Sequence, residues 1–315
     1  MKLKQILFLS YLLSFILKAD DTLIPGYNIP QTPLYVGGYI SANYDGKRED
    51  KLLFDDIALL FYGNYEKFDL LGEIEISDVP LKKKALRIHT ERFRIAYYLY
   101  DDTTLYLGKF NSNTGFWNQI PINILEDTTT YPHIMENIFP KLTTGISIYQ
   151  SFEEGEREIS LTIQHNNDLD KHYNNIIVDR HYSLGYKDTM DEFVWRLSGG
   201  YYKSVDNRDY FYAGAGIRKE FLNYTLLSEL FTKRGEKKRD IPYDGYLQLT
   251  WHMFYMHDLV FRSEFYNDES MKIKENISLL GYTFRPMPSF SIKTEYIRHS
   301  KLSKNRFVFS ISAMF

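Results

Sequence analysis

The sequence has no cysteine and only 10 prolines in 315 residues. Without cysteine there is neither a disulfide framework nor a thiolate metal site, and an oxidising compartment would be tolerated. Few prolines leave long strands uninterrupted. The net charge of −3 carries no basic excess that would point to nucleic acid. After the first twenty residues no run of about 20 apolar residues occurs, which excludes a later helical membrane span. There is no GxSxG, HExxH or P-loop, and the 8 histidines are dispersed. What the chain does have is aromatic residues, 27 Tyr and 22 Phe, which favours strands over helices.

The first nineteen residues, MKLKQILFLSYLLSFILKA, place Lys2 and Lys4 before an apolar stretch from Ile6 to Leu17. That is the length of a signal-peptide core and too short for a comfortable bilayer span. The expected organisation is a signal peptide over 1–19, with Ala19 as the cleavage point, and one domain over 20–315. A membrane anchor is the alternative reading of the same stretch.

The remainder alternates. DLLGEIEIS sets Leu70, Ile74 and Ile76 against Leu71, Glu73 and Glu75. RFRIAYYLY sets Phe93, Ile95, Tyr97 and Leu99 against Arg92, Arg94, Ala96 and Tyr98. The final NRFVFSISAMF sets Phe307, Phe309, Ile311, Ala313 and Phe315 against Val308, Ser310, Ser312 and Met314. A period of two with one apolar and one polar face is a strand between two environments. Sixteen such segments can be read, near 33–45, 52–63, 67–77, 87–100, 103–111, 142–151, 156–166, 178–187, 192–203, 210–219, 221–232, 244–256, 258–267, 273–284, 289–298 and 305–315. The second alternates poorly, and the tenth is weakened by Gly214 and Gly216. Connections after even-numbered segments are short. Those after odd-numbered segments are longer and polar, as in KRGEKKRDIPYDG. Aromatics such as Phe61, Tyr62, Tyr65 and Phe68 flank the short turns, as in an interfacial girdle. The expected fold is all-β: a transmembrane antiparallel up-and-down β-barrel of about sixteen strands, in which apolar faces meet lipid and the last strand closes on the first.

A cleavable signal, alternation throughout and a terminal Phe315 preceded by Ile311, Phe309 and Phe307 together resemble bacterial outer-membrane β-barrels. In that family the last strand is read by the barrel assembly machinery, which the resemblance implies as a partner beside the outer-membrane lipid bilayer. The third long connection, from Asn111 to Lys141, carries Phe116, Trp117, Ile120, Ile122, Ile124, Leu125, Ile134 and Phe139. It is too apolar to be a solvated tail and too long to be idle. Strand number and loop position resemble general porins, whose third loop folds inward and narrows the pore. LYLGKFNSNTGFWNQI is similar to the strand-to-loop segment of phosphate-selective porin-like proteins. The resemblance implies passive diffusion of small hydrophilic solutes or ions, no catalysis, no cofactor and no metal. It also allows a homotrimer.

Candidate pore residues follow from the polar faces. Arg92 and Arg94 stand two residues apart on the fourth strand, with Glu73 and Glu75 inward on the third. Trp117 is expected to anchor the loop, and Glu126 and Asp127 lie within it. Two arrangements are open: the loop acids face the two arginines across the pore and set a transverse field, or Glu73 and Glu75 pair with the arginines across the ladder. Arg196, Arg262, Glu229, Glu264, Lys293 and Glu295 suggest a wall of mixed sign. Asp168, Asp170 and His172 in one long loop admit an acid–His pair of the kind barrel proteases carry, but a solvated loop is the expected reading. Enzymatic and plugged structural barrels are the competing classes.

Overall fold

In a computed structural model of the chain, residues 26–47, 52–80, 88–120, 122–170, 173–236 and 239–315 are described. The expected signal peptide, the 1–19 boundary and His172 lie outside them. Eight strands form the first half: β1 (Leu34–Asp45), β2 (Leu52–Tyr65), β3 (Phe68–Pro80), β4 (Ile88–Tyr100), β5 (Thr103–Asn111), β6 (Leu142–Phe152), β7 (Arg157–Gln164) and β8 (Val178–Met190). Eight more complete it: β9 (Phe193–Ser204), β10 (Asp209–Phe221), β11 (Tyr224–Gly235), β12 (Ile241–Phe254), β13 (His257–Asp268), β14 (Ile273–Met287), β15 (Phe290–His299) and β16 (Arg306–Met314). They match the sixteen alternating segments to within a few residues. Each strand pairs antiparallel with its sequence neighbours, and β16 closes on β1 through Val308↔Asp45, Ile311↔Ala42 and Met314↔Tyr39. Tyr27–Asn28 adds a two-residue strand beside β1. No helix among the described residues is long and apolar enough to cross a membrane.

Closure leaves no free sheet edge. Phe315 completes it: its amide donates to the Gly38 carbonyl at 2.9 Å, and the Gly38 amide donates to the Phe315 carbonyl at 2.8 Å. Gly38 is required there, because a Cβ would stand 2.5 Å from the Ala58 carbonyl oxygen and 3.0 Å from the Phe315 ring.

The two faces differ in kind. Leu59, Leu107, Leu161, Leu184, Leu247, Phe261, Leu280 and Ile311 are exposed on the outside. The inner face buries Ser147, Thr162, Ser183, Gln248, Arg262, Lys293, Ser310 and Ser312. This is the inverse of a soluble barrel and fits a wall with lipid outside. At the end that carries the short turns, Tyr65, Phe68, Tyr100, Phe254 and Tyr255 are exposed. Phe68 and Tyr97 pack there at 4.7 Å between ring centroids.

Three local departures have physical causes. The second segment alternates poorly because the β1–β2 register slips by one residue between Ser41↔Asp56 and Ala42↔Phe54, a bulge at the adjacent acids. The tenth segment's glycines are receiving surfaces: a Cβ at Gly216 would meet the Phe116 ring at 2.9 Å, and one at Gly214 the Phe231 ring at 2.2 Å. The connection expected over 233–245 is mostly strand, since β11 reaches Gly235 and β12 begins at Ile241. Strands that rise beyond the apolar band carry polar residues on both faces, so polarity alone cannot mark where they end.

Candidate pore and its inner loop

The connection between β5 and β6 turns into the barrel. It contains two single 3₁₀ turns, Trp117–Gln119 and Asn123–Leu125, and one helical turn, Ile134–Asn137. Short turns leave many backbone groups without local partners, so the wall supplies them. The amides of Phe116 and Trp117 donate to Glu229 on β11, at 2.7 and 3.4 Å. Arg262 on β13 donates to Thr128 Oγ1 and to the Thr130 carbonyl, both at 2.8 Å. Asp127 accepts from Gln248 (3.0 Å) and Thr250 (2.8 Å) on β12, while its carbonyl accepts from Thr283 on β14 at 2.7 Å. Glu295 on β15 accepts from the Thr130 hydroxyl at 2.7 Å.

Apolar packing fixes the same loop. Trp117, Ile134, Met135, Ile138 and Phe139 form a buried cluster with Val178, Tyr202, Tyr210, Tyr212, Leu227, Phe231, Ile241 and Tyr246 of β8 to β12. Trp117 meets Tyr246 edge-on at 6.3 Å, and the Arg262 guanidinium lies over the Trp117 ring at 5.4 Å. Farther along, Ile124 packs with Tyr39, Ala58, Leu60 and Met314 of β1, β2 and β16. The loop therefore coats the wall from β8 through β16 to β2.

His133 adds a polar latch. Its ring stacks on Tyr266 at 3.7 Å, its amide donates to Glu264 at 2.8 Å, and its Nδ1 lies 2.7 Å from Asp244 Oδ2. Burial lowers the His133 pKa, but the bond to Asp244 and that carboxylate's charge outweigh it, and the net shift is upward. Glu126 is 2% exposed. Burial pushes its carboxyl up to about 8, against the opposing pull of Lys293 and Lys141.

A second loop joins the first. Asp168, expected in a solvated loop, is buried and accepts from Gln164 at 2.9 Å and Asn174 at 3.1 Å. Burial raises its pKa. Asn175 donates to the carbonyls of Met135 and Phe139, both at 2.9 Å, and accepts from the Lys141 amide at 2.8 Å. Asn174 and Asn175 thus clasp the inner loop and the start of β6, and that is why Asp168 is not solvated.

Two cavities stand out among the described residues. The first, about 450 Å³, lies at the loop end and is lined by Asp45, Asp56, Glu75, Glu91, Glu126 and Glu136 against Lys141 and Arg306. The second, about 510 Å³, lies toward the turns and is lined by Arg92, Arg94, Lys187 and Arg196 against Glu158. Asn111 lines both. The lumen is thus acidic at one end and basic at the other.

Between the cavities the ladder pairs its charges. Arg92 Nε bonds Glu73, and the Tyr39 hydroxyl donates to Glu73 at 2.6 Å. The Tyr173 hydroxyl donates to Glu75 at 2.7 Å. Arg94 lies over the Tyr106 ring at 4.5 Å. Arg196 donates to the Gly115 carbonyl at 2.6 Å. Lys293 is fully buried, with its Nζ 3.5 Å from the Thr128 carbonyl.

Of the sequence candidates, Arg92 thus meets Glu73 across the ladder, as one of the two arrangements anticipated. Asp127 lies against β12 and β14, 3.8 Å from Arg285, on the wall opposite Arg92 and Arg94. The loop follows β8 to β16 because its apolar residues find Tyr202, Tyr212, Phe231 and Tyr246 there, and so Asp127 stays away from Arg92 and Arg94, while Glu126 and Glu136 line the loop-end cavity. Glu91 was missed. Alternation places it outward beside Arg92, but the β3–β4 register slips between Glu73 and Ile74, and Glu91 lines the loop-end cavity. A glutamate on an otherwise apolar outer face was the available signal.

Closed sixteen-strand wall, apolar outside, polar inside, third long connection folded against the inner face: these define the porin fold. No protein-family model and no curated protein matches the sequence. Solved structures do match. The chain is similar to an anion-selective porin from Comamonas acidovorans, with TM-score 0.68, 11% identity, 90% of this chain and 99% of that one covered. OmpF of Salmonella typhi, in complex with daunomycin, gives 0.68 at 10% identity, covering 90% and 97%. The outer membrane protein OmpT of Vibrio cholerae, in trimer form, gives 0.67 at 10%, covering 90% and 99%. At such identities the likeness is one of fold.

Proposed function

We propose that this chain is an outer-membrane porin, a passive channel for small hydrophilic solutes or ions. The observation that carries this reading is the lumen. It is walled by polar and charged side chains, enclosed by a lipid-facing exterior, and narrowed by an inner loop into two cavities. Selectivity in such a pore comes from its radius and lining charge, and no reaction is needed. On this reading the short turns and both termini face the periplasm, and the loops face outward. The Phe315 strand is what the assembly machinery engages, and the mature chain begins near Asp20 after export. The trimer form of the similar OmpT supports a homotrimer.

Arg94 and Lys187, with Arg92 and Arg196, would set an anion-attracting inner mouth. Glu75, Glu91 and Glu136 would set a cation-attracting outer region that Glu126 joins as it ionises, Glu73 would hold Arg92, and Asp127, Arg262 and Lys293 would hold the loop. Purified protein in planar bilayers should give stable ion steps; absence of any conductance would overturn the reading. A plugged structural barrel is the second reading, favoured by the aromatic packing of the inner loop. It predicts that null result.

A further inference from the structure

We propose that the turns joining β10 to β11 and β12 to β13 are embedded in the membrane leaflet on the short-turn side, so that one sector of the rim anchors in phospholipid and the barrel leans toward it. The inference goes beyond the channel reading and rests only on the lipid-facing wall.

The hairpin turns at this end differ in kind. β2 and β3 are joined by Glu66 and Lys67, β4 and β5 by Asp101 and Asp102, and β8 and β9 by Asp191 and Glu192. Between β6 and β7 stand Glu153, Glu154 and Glu156. These tips are exposed and charged. The next two round the rim are not: Leu222 and Asn223 join β10 to β11, and Tyr255 and Met256 join β12 to β13. Leu222 is 97% exposed, Tyr255 87% and Phe254 78%. A contiguous apolar patch of this kind marks a contact surface. Tight hairpins commonly need a left-handed residue, for which Asn, Asp or Gly is the usual choice. At Met256, with φ of 79°, the chain keeps an apolar side chain in that conformation.

Continuity names the occupant. Just above the two tips, Tyr224 and Trp251 are paired in register, and their rings stack at 6.0 Å between centroids. They extend the apolar outer wall of Leu230, Leu247 and Phe261. Beside them the His257 ring stacks on Phe284 at 4.8 Å. Rings with one polar end suit the boundary between acyl chains and headgroups. The Lys219 ammonium stands 5.0 Å over the Phe221 ring, where its stem can lie among acyl chains while its charge reaches lipid phosphates. The patch thus runs on from a surface that lipid already covers. The acidic tips cannot follow it into the bilayer, because a charge there is costly. A longer apolar span on one side is accommodated by tilt.

The chain has no cysteine, so a spin label can be placed at one position at a time. Leu222→Cys and Tyr255→Cys report the apolar tips, Glu66→Cys and Asp191→Cys the charged ones, and Leu247→Cys the wall. Circular dichroism reports whether each variant has folded. In the full chain reconstituted into phospholipid vesicles, collision with oxygen, which concentrates in lipid, is compared with collision with a water-soluble nickel chelate. The expected oxygen-to-nickel ratio at 222 and 255 is close to that at 247 and several-fold above that at 66 and 191. A ratio at 222 and 255 equal to that at 66 and 191 would place the apolar tips in water and overturn the proposal. Exclusion of both reagents from 222 and 255 would mean that protein, a second copy included, covers them, and would overturn it as well. Nickel access at 247 would refute the lipid-facing wall and the proposal with it. Planar-bilayer conductance judges the channel reading independently.

Discussion

The lumen has two halves built from the same alternating strands, and they have different fates. From β8 to β12 the inward residues include Tyr202, Tyr210, Tyr212, Phe231 and Tyr246, and the inner loop packs against them with Trp117, Ile138 and Phe139. From β4 to β9 the lower wall presents Arg94, Tyr106, Tyr149, Lys187 and Arg196 to open space. The difference shows what positions the loop. Apolar rings on one arc of the wall capture it, and charge on the other arc keeps that side wet. The pore is therefore displaced to the side the loop does not coat.

The largest effect should come from removing the capture. Trp117→Ala should destabilise the folded barrel by about 3–5 kcal/mol, read from urea unfolding of protein in vesicles. A cost below about 1 kcal/mol would mean that the ring contacts do not hold the loop. The closing strand sharpens the contrast between inside and outside. Ser310 contacts the loop through Thr129 at 2.5 Å, while its neighbour Ile311 faces outward. Ile311→Arg should cost about 2–4 kcal/mol if it sits at the bilayer midplane, whereas Ser310→Ala, which loses the bond to Thr129, should cost about 1 kcal/mol. Equal costs at the two positions would refute the register.

The open arc should respond in selectivity. Arg92→Gln leaves the buried Glu73 carboxylate without its guanidinium and should cost about 3 kcal/mol of stability. Arg94→Gln breaks no such pair. It should leave stability nearly unchanged while moving the reversal potential in a salt gradient toward cations, a few-fold change in permeability ratio. If Arg94→Gln leaves the reversal potential where it was, the basic arc does not filter ions.

The smallest effect is one of pH. Burial raises the Glu126 carboxyl to about 8. Since its folded pKa lies above the unfolded value of 4.5, the neutral form favours the fold, and this contribution is lost as pH rises from about 4.5 through 8. Between pH 7 and 9 the cavity gains negative charge from Glu126, facing Lys293, Lys141, Glu295 and Arg262. Cation preference should rise over that interval in the wild type, and Glu126→Gln should flatten the rise. An equal rise in the variant would assign the titration elsewhere.

Most of the barrel was legible because every membrane strand obeys one period. Lipid outside and polar lumen inside print the fold onto residues such as Ile74 against Glu73. The inner loop was legible from its apolar content, since Trp117 and Phe139 need a surface to pack on. Its path was not, because the partners Tyr212, Phe231 and Tyr246 lie far away in sequence and alternate like any other inward residue. Two bulges also escaped the period. One slips the β1–β2 register next to Asp56, and the other brings Glu91 inside; a register slip of one residue exchanges the faces without changing composition. The clasp by Asn174 and Asn175 was hidden too, since asparagine in a polar stretch reads as solvated loop.

The central claim is that residues 112–141 lie within the barrel and set its open area. Single-channel conductance of the wild type, compared with a variant lacking residues 118–136, tests it most directly. A deletion variant that is still folded should conduct with steps several-fold larger, because the coated arc of the lumen becomes open water. Steps of unchanged size from a folded variant would place the loop outside the conducting path and contradict the account.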